Sequence, residues 1–241
     1  MPVALVDGGA DRIESDLAHG EASRGSVGPG RVEGLVPLAG LLLVAAGSAV
    51  MLLLHVIPPT SAVDPVRRTL SEYALGDAKW AFDGSLLLIS VGSALGFRAL
   101  ARRAPRPPMT AVVLGAVWTV SLVVLVAFTK TDWAVGPSTG GTIHRYASVA
   151  AFLSLPVALL FAARPVFPDR PGWQWAVRGC AVVSLLWFGS IVVGVANMAA
   201  GGPPWWRFVP LGLVERMVAF SAVVGLLVLV LGMVRTRRPI G

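Results

Sequence analysis

KTDWAVGPSTGGTIHR, residues 130–145, decides how this chain folds. It is a short polar connector between two long apolar runs, at about residues 109–129 and 142–163. An apolar run of about 20 residues is what a helix needs to cross the hydrocarbon core of a bilayer. Gly136-Pro137 and Gly140-Gly141 predict an irregular loop between the two runs. The connector carries an acid, Asp132, and an imidazole, His144. In a chain this apolar, chemistry has few other places to sit.

Four further runs of the same kind lie at about residues 36–57, 79–100, 175–199 and 208–234. Composition agrees with a membrane protein. The 241 residues are 55% hydrophobic, only 14% are charged, and the mean hydropathy is +0.74. Soluble domains carry about 25% charged residues. The fold class expected is therefore all-α, a polytopic membrane bundle of six transmembrane helices. Three regions are expected: a disordered cytoplasmic tail over 1–33, the six-helix domain over 34–236, and a basic tail over 237–241. The first has six acids, three arginines and many glycines, without the basic start and apolar core of a signal peptide. The lone Cys180 excludes an internal disulfide and a thiolate zinc cage, and its apolar neighbours predict a buried, inert thiol.

The net charge of +7 does not imply nucleic acid, because the arginines flank the spans. Ten of them lie on the side of the C-terminus and of the connectors after spans two and four: Arg98, Arg102, Arg103, Arg106, Arg164, Arg170, Arg178, Arg235, Arg237 and Arg238. The other side has six: Arg67, Arg68, Lys79, Lys130, Arg145 and Arg207. Positive charge stays inside, so both termini are expected in the cytoplasm of a multi-pass protein of the cell membrane. The acids sort the other way. Outside the N-terminal tail, Asp64, Glu72, Asp77, Asp83, Asp132 and Glu215 lie on or towards the outer side, and only Asp169 does not.

Within the connectors, Asp64-Pro65 reads as a helix start. Val66, Leu70 and Tyr73 follow at helical spacing, which predicts a short amphipathic helix on the membrane surface. Arg68 and Glu72, four apart, suit a solvated ion pair. Ser190, Gly194 and Asn197 form a small polar stripe expected to face the bundle. Glu215 and Arg216 lie about 10 Å into span six, by the helical rise. They point about 100° apart, so each is expected to find its own partner on another helix.

Three islands carry a family resemblance: DPVRRTLSEYALG at 64–76, TDWAVGPSTGGTIHRYASVAAF at 131–152, and GLVERMVAF at 212–220. With six spans in matching order, residues 36–235 resemble the bacterial membrane family called domain of unknown function 998. The chain also looks like a distant relative of Frag/DRAM-type membrane proteins, some of which are linked to lipid remodelling. The resemblance implies a six-helix bundle and no common activity. It draws attention to Asp64, Ser71, Glu72, Asp132, His144, Glu215 and Arg216.

The expected site is an acid/His constellation at the outer membrane boundary. Asp132, His144, Glu72 and Glu215 are its catalytic candidates, expected to line one cavity. Asp64, Ser71, Asp83, Arg145 and Arg216 are candidates for substrate binding. Shielded carboxylates can act as general acids, and His144, expected in the first turn of a helix, suits a general base. The concrete form is an enzyme acting on a membrane lipid or an isoprenoid-like molecule, for example an acid-initiated terpene cyclase. The alternatives are a non-catalytic scaffold or lipid-binding protein, in which Asp132 caps the loop and His144 bonds the connector, and a small transporter. No metal or other cofactor is expected: His55, His144, Asp132 and Asp64 lack the spacing of a zinc motif. The non-catalytic reading includes a partner of another membrane protein, and the sequence does not name that partner.

Overall fold

A computed structural model of the chain describes residues 29–103 and 108–236. The basic tail 237–241 and nearly all of the expected N-terminal tail, 1–33, lie outside the described residues. The chain divides into two units, Met1–Leu35 and Val36–Gly241, and the bundle belongs to the second. The helices are α1 (Pro29–Leu53), α2 (Lys79–Arg103), α3 (Met109–Ala127), α4 (Thr139–Val166), α5 (Pro171–Ala199) and α6 (Leu211–Arg235). Among the described residues there is no strand, and six helices are long and apolar enough to cross a membrane. The protein is an all-α, multi-pass membrane protein.

Burial divides the helices into two sets. The spanning windows of α2, α4 and α6 are 50%, 50% and 44% buried, against 22%, 33% and 17% for α1, α3 and α5. The even-numbered helices thus form the centre, and each odd-numbered helix shows lipid an apolar face. On α5 that face includes Leu186, Val192 and Val193. Between helices in lipid no hydrophobic gradient drives association, so close packing and polar contacts must do it. The sequence supplies both. Gly92 and Gly96 stand four apart on α2. A Cβ on Gly92 would lie 2.8 Å from the Gly40 carbonyl of α1, so the two backbones touch. Serine hydroxyls bind carbonyls across this seam and the α2–α3 and α5–α6 seams. Ser85 Oγ donates to Gly47 O at 2.9 Å, Ser90 Oγ to Thr119 O at 3.0 Å, and Ser184 Oγ to Val218 O at 3.0 Å.

Several local expectations change. α4 begins at Thr139, because Ser138 accepts the Gly141 N–H at 3.0 Å and caps it. Gly140 and Gly141 are therefore helical, and His144 sits in the second turn, beyond the strong reach of the helix dipole. The 64–76 segment is a turn followed by a 3₁₀ helix, Leu70–Leu75, in place of the expected amphipathic α-helix; residues 64–68 are exposed, while Tyr73 and Ala74 are buried against the bundle. On α5 the inward stripe is Val177, Ala181 and Ser184. Gly194 joins it, while Ser190 is half-buried and Asn197 exposed. Cys180 is half-buried beside Gly225.

Gly92→Ala should destabilise the bundle by about 1–3 kcal/mol, the usual range for overpacking. Gly179→Ala, whose Cβ would meet nothing within 4 Å, should be neutral. Thermal unfolding of the two variants in one detergent checks the pair.

Candidate functional site

Connectors 54–78, 128–138 and 200–210 lie at one end of the bundle, here the acidic end, and the first two meet there. Its frame is Arg216, in the second turn of α6. The guanidinium Nη1 donates to three carbonyls, Pro65 O at 2.9 Å, Arg68 O at 2.6 Å and Gly212 O at 3.0 Å. Nε donates to His55 Nε2 at 2.9 Å, and Nη2 reaches the Tyr73 hydroxyl at 3.3 Å. Glu215, its neighbour, binds elsewhere: Oε2 accepts the Leu70 N–H at 2.6 Å. Each charge does have its own partner, but the partners belong to the first connector and not to another spanning helix. Gly212 makes the docking possible, since a Cβ there would lie 2.8 Å from Pro65 O. Asp64 shapes the same connector by accepting the Val66 N–H at 2.8 Å. That hydrogen bond is the main reason its carboxyl lies below the usual range.

The connector so held presents Glu72 to the second connector. Glu72 pairs with Lys130 and, at 3.2 Å, with Arg68. Lys130 and Glu72 are 15% and 20% exposed, so their pairing is screened less than a surface pair. Arg68, at 65%, gains little from its own. Lys130 Nζ also donates to Thr69 Oγ1 at 3.2 Å, and Thr69 shares a hydrogen bond with Ser71 at 3.1 Å. Beside this cluster opens a cleft of about 410 Å³ lined by Arg68, Glu72, Leu75, Lys130, Thr131, Asp132, Trp133 and Ala134.

The cleft brings together Glu72 and Asp132 of the four expected catalytic residues. Asp132 is exposed, and its Oδ1 accepts the Ala134 N–H at 2.9 Å in a turn. His144 and Glu215 do not line it. His144 is buried on α4, its Nδ1 2.7 Å from Phe128 O, which ties α4 to the end of α3. Asp83 lies half-buried on α2 with Lys79 at 2.6 Å, and its Oδ1 accepts no hydrogen bond. Arg145 stacks over Trp133 at 6.0 Å. Among the described residues no three His, Cys, Asp or Glu side chains gather as metal ligands would. Lys130, Trp133 and Arg68 are not among the candidates the sequence offers, and His55 enters there only as a zinc-type donor. Lys130 and Trp133 lie within two residues of Asp132 in the 130–145 connector, and that closeness is the signal the sequence carries for them.

Aromatic side chains ring this end. Trp80, Trp133, Tyr146 and Trp206 are 79%, 67%, 72% and 58% exposed, as expected of rings at a membrane–water interface. The family model described as "Protein of unknown function (DUF998)" matches residues 34–232. The chain belongs to the DUF998 family. No curated protein and no solved structure matches it. In this DUF998 member the islands at 64–76 and 212–220 meet at the acidic end through Arg216 and Glu215, and the start of the third, residues 131–134, lines the cleft with Arg68 and Glu72 of the first.

His55 Nδ1 lies 2.9 Å from Met51 O and must carry the proton there, which leaves Nε2 to accept from Arg216. Burial pushes the imidazole below its ordinary 6.5, and Arg216 adds to the shift against the opposing Met51 bond. The folded state therefore refuses a proton that the unfolded chain takes up below about pH 6.5, and stability falls as pH drops from there. We expect a lower melting temperature at pH 5.5 than at pH 7.5, with a shallower slope in His55→Gln. Arg216→Lys, which loses the fork and strands the Pro65 and Arg68 carbonyls, should lose on the order of 2–4 kcal/mol at either pH. Equal slopes in wild type and His55→Gln would remove His55 from the account.

Proposed function

We propose that this DUF998 protein is a lipid-binding membrane protein whose cleft at the acidic end takes the polar headgroup of a membrane lipid. The observation that carries the reading is the cleft itself. It sets Arg68 and Lys130 beside Trp133 at the level of the aromatic ring, where headgroups reside. Its volume falls in the ordinary range of small-molecule sites. The excess of arginine at the opposite end supports an orientation with both termini in the cytoplasm of the cell membrane and the cleft outside.

The division of the four candidate residues favours binding over acid–base catalysis. A general acid or base must stand within hydrogen-bond reach of the reacting proton. His144 is engaged with Phe128 and Glu215 with Leu70, both away from the cleft lining. A lipid- or isoprenoid-modifying step would fall to Asp132, whose second oxygen is uncommitted.

The test is lipid binding to full-length protein purified in non-ionic detergent. A phospholipid should raise the melting temperature more than diacylglycerol with the same chains. Arg68→Gln should weaken phospholipid binding about tenfold, the loss of one charge-assisted contact. Equal protection by diacylglycerol would sink the headgroup reading. Conversion of the added lipid, lost in Asp132→Asn, would make the protein an enzyme.

A further inference from the structure

We infer that the cleft selects a headgroup carrying both a phosphate and a primary ammonium, so that its ligand is an aminoethyl-phosphate lipid of the phosphatidylethanolamine type. This rests on the headgroup reading above and names its ligand class.

The argument is charge complementarity. The lining holds two cations, Arg68 and Lys130, and two carboxylates, Glu72 and Asp132. Glu72 is taken up by both cations. Arg68 spends one nitrogen, Nη1, on that pair, while its side chain remains 65% exposed with further N–H donors to offer. Asp132 spends Oδ1 on its own turn and keeps Oδ2 as an acceptor. The cleft therefore offers an open donor set and an open acceptor within one lining. A purely anionic headgroup would meet the Asp132 carboxylate unpaired. An isolated amine would meet Arg68. An isoprenoid phosphate has no amine to give Asp132. A zwitterion that carries both a phosphate and a primary ammonium brings each of the two groups a partner of opposite charge.

The acceptor also settles which ammonium. A primary ammonium has three N–H donors for a carboxylate oxygen, and a quaternary one has none. Quaternary ammonium is held by several aromatic faces. This cleft has one aromatic, Trp133, and the Arg145 guanidinium already stands 6.0 Å from its centre. Leu75, at the same lining, suits the apolar start of the glycerol backbone and acyl chains.

The experiment is equilibrium binding by native mass spectrometry, with full-length protein in lipid-free non-ionic detergent. The probes are phosphatidylethanolamine, phosphatidylglycerol, phosphatidylcholine and diacylglycerol of identical chains, and soluble O-phosphoethanolamine. Phosphatidylethanolamine should bind about tenfold more tightly than the other two phospholipids, as for one charge-assisted hydrogen bond. Asp132→Asn should erase that preference and leave phosphate-driven binding in place. Asparagine can still accept the Ala134 N–H, so the turn survives the change. Arg68→Gln should weaken all three phospholipids alike. Phosphatidylglycerol binding as tightly as phosphatidylethanolamine, or a preference that persists in Asp132→Asn, overturns the inference and leaves the headgroup reading standing if diacylglycerol still binds worst. Four lipids bound equally overturn both. Soluble O-phosphoethanolamine bound as tightly as the lipid overturns the lipid assignment in favour of a free ligand.

Discussion

The acidic end of this protein depends on one guanidinium. Arg216 stands in the second turn of a helix long and apolar enough to cross a membrane, where a charge without partners is expensive. The chain does not answer it with a carboxylate, although Glu215 is adjacent. It answers with three carbonyls, an imidazole nitrogen and a phenol. Carbonyl partners require a backbone to be brought to the charge. The first connector is therefore bent back onto α6, and its 3₁₀ helix packs Tyr73 and Ala74 into the bundle. Glu215 fixes the same segment by accepting the Leu70 N–H that opens the 3₁₀ helix. The shape of the connector, and with it the position of Arg68 and Glu72, follows from satisfying two charges on α6.

This arrangement explains why the site was only partly legible in the sequence. Apolar runs of the right length marked all six helices, because bilayer thickness sets span length directly. The ends moved by a few residues where a cap intervened, as Ser138 moved the start of α4. The pairing of Arg68 with Glu72 followed from spacing alone. The partners of Glu215 and Arg216 did not, because most of them are backbone atoms, the Leu70 N–H and the Pro65, Arg68 and Gly212 carbonyls, and backbone is the same at every residue. Nothing in the letters of 64–76 distinguishes a helix lying on a membrane from one turned inward. Tyr73 was the position where the two readings diverged, since a surface helix would have shown it to solvent or lipid. The asparagine of the 190–197 stripe misled for a related reason: a small polar residue near a helix end can face water as well as a bundle.

Roles that seemed catalytic by residue type became structural by geometry. His144 binds the Phe128 carbonyl where α3 stops, and Asp132 turns the chain immediately after it. Both act on the connector that carries Lys130. That lysine is the member of the second connector that reaches the first, through Glu72 and Thr69. The acid and the imidazole thus position a cation, and the cation joins the connectors.

A cleft formed between two connectors differs from one sunk among helices. The connectors that form its walls are tied down by Arg216 on one side and by His144 on the other, through bonds to backbone, while Lys130 and Glu72 join them at the lining. The walls are stiff because carbonyls cannot be repositioned without moving the chain. The pair that joins them is two flexible side chains, and Arg68, which also bonds Glu72, is mostly exposed. A ligand entering there meets donors that can turn towards it within a frame that cannot. That combination suits recognition of a small charged group at a membrane boundary.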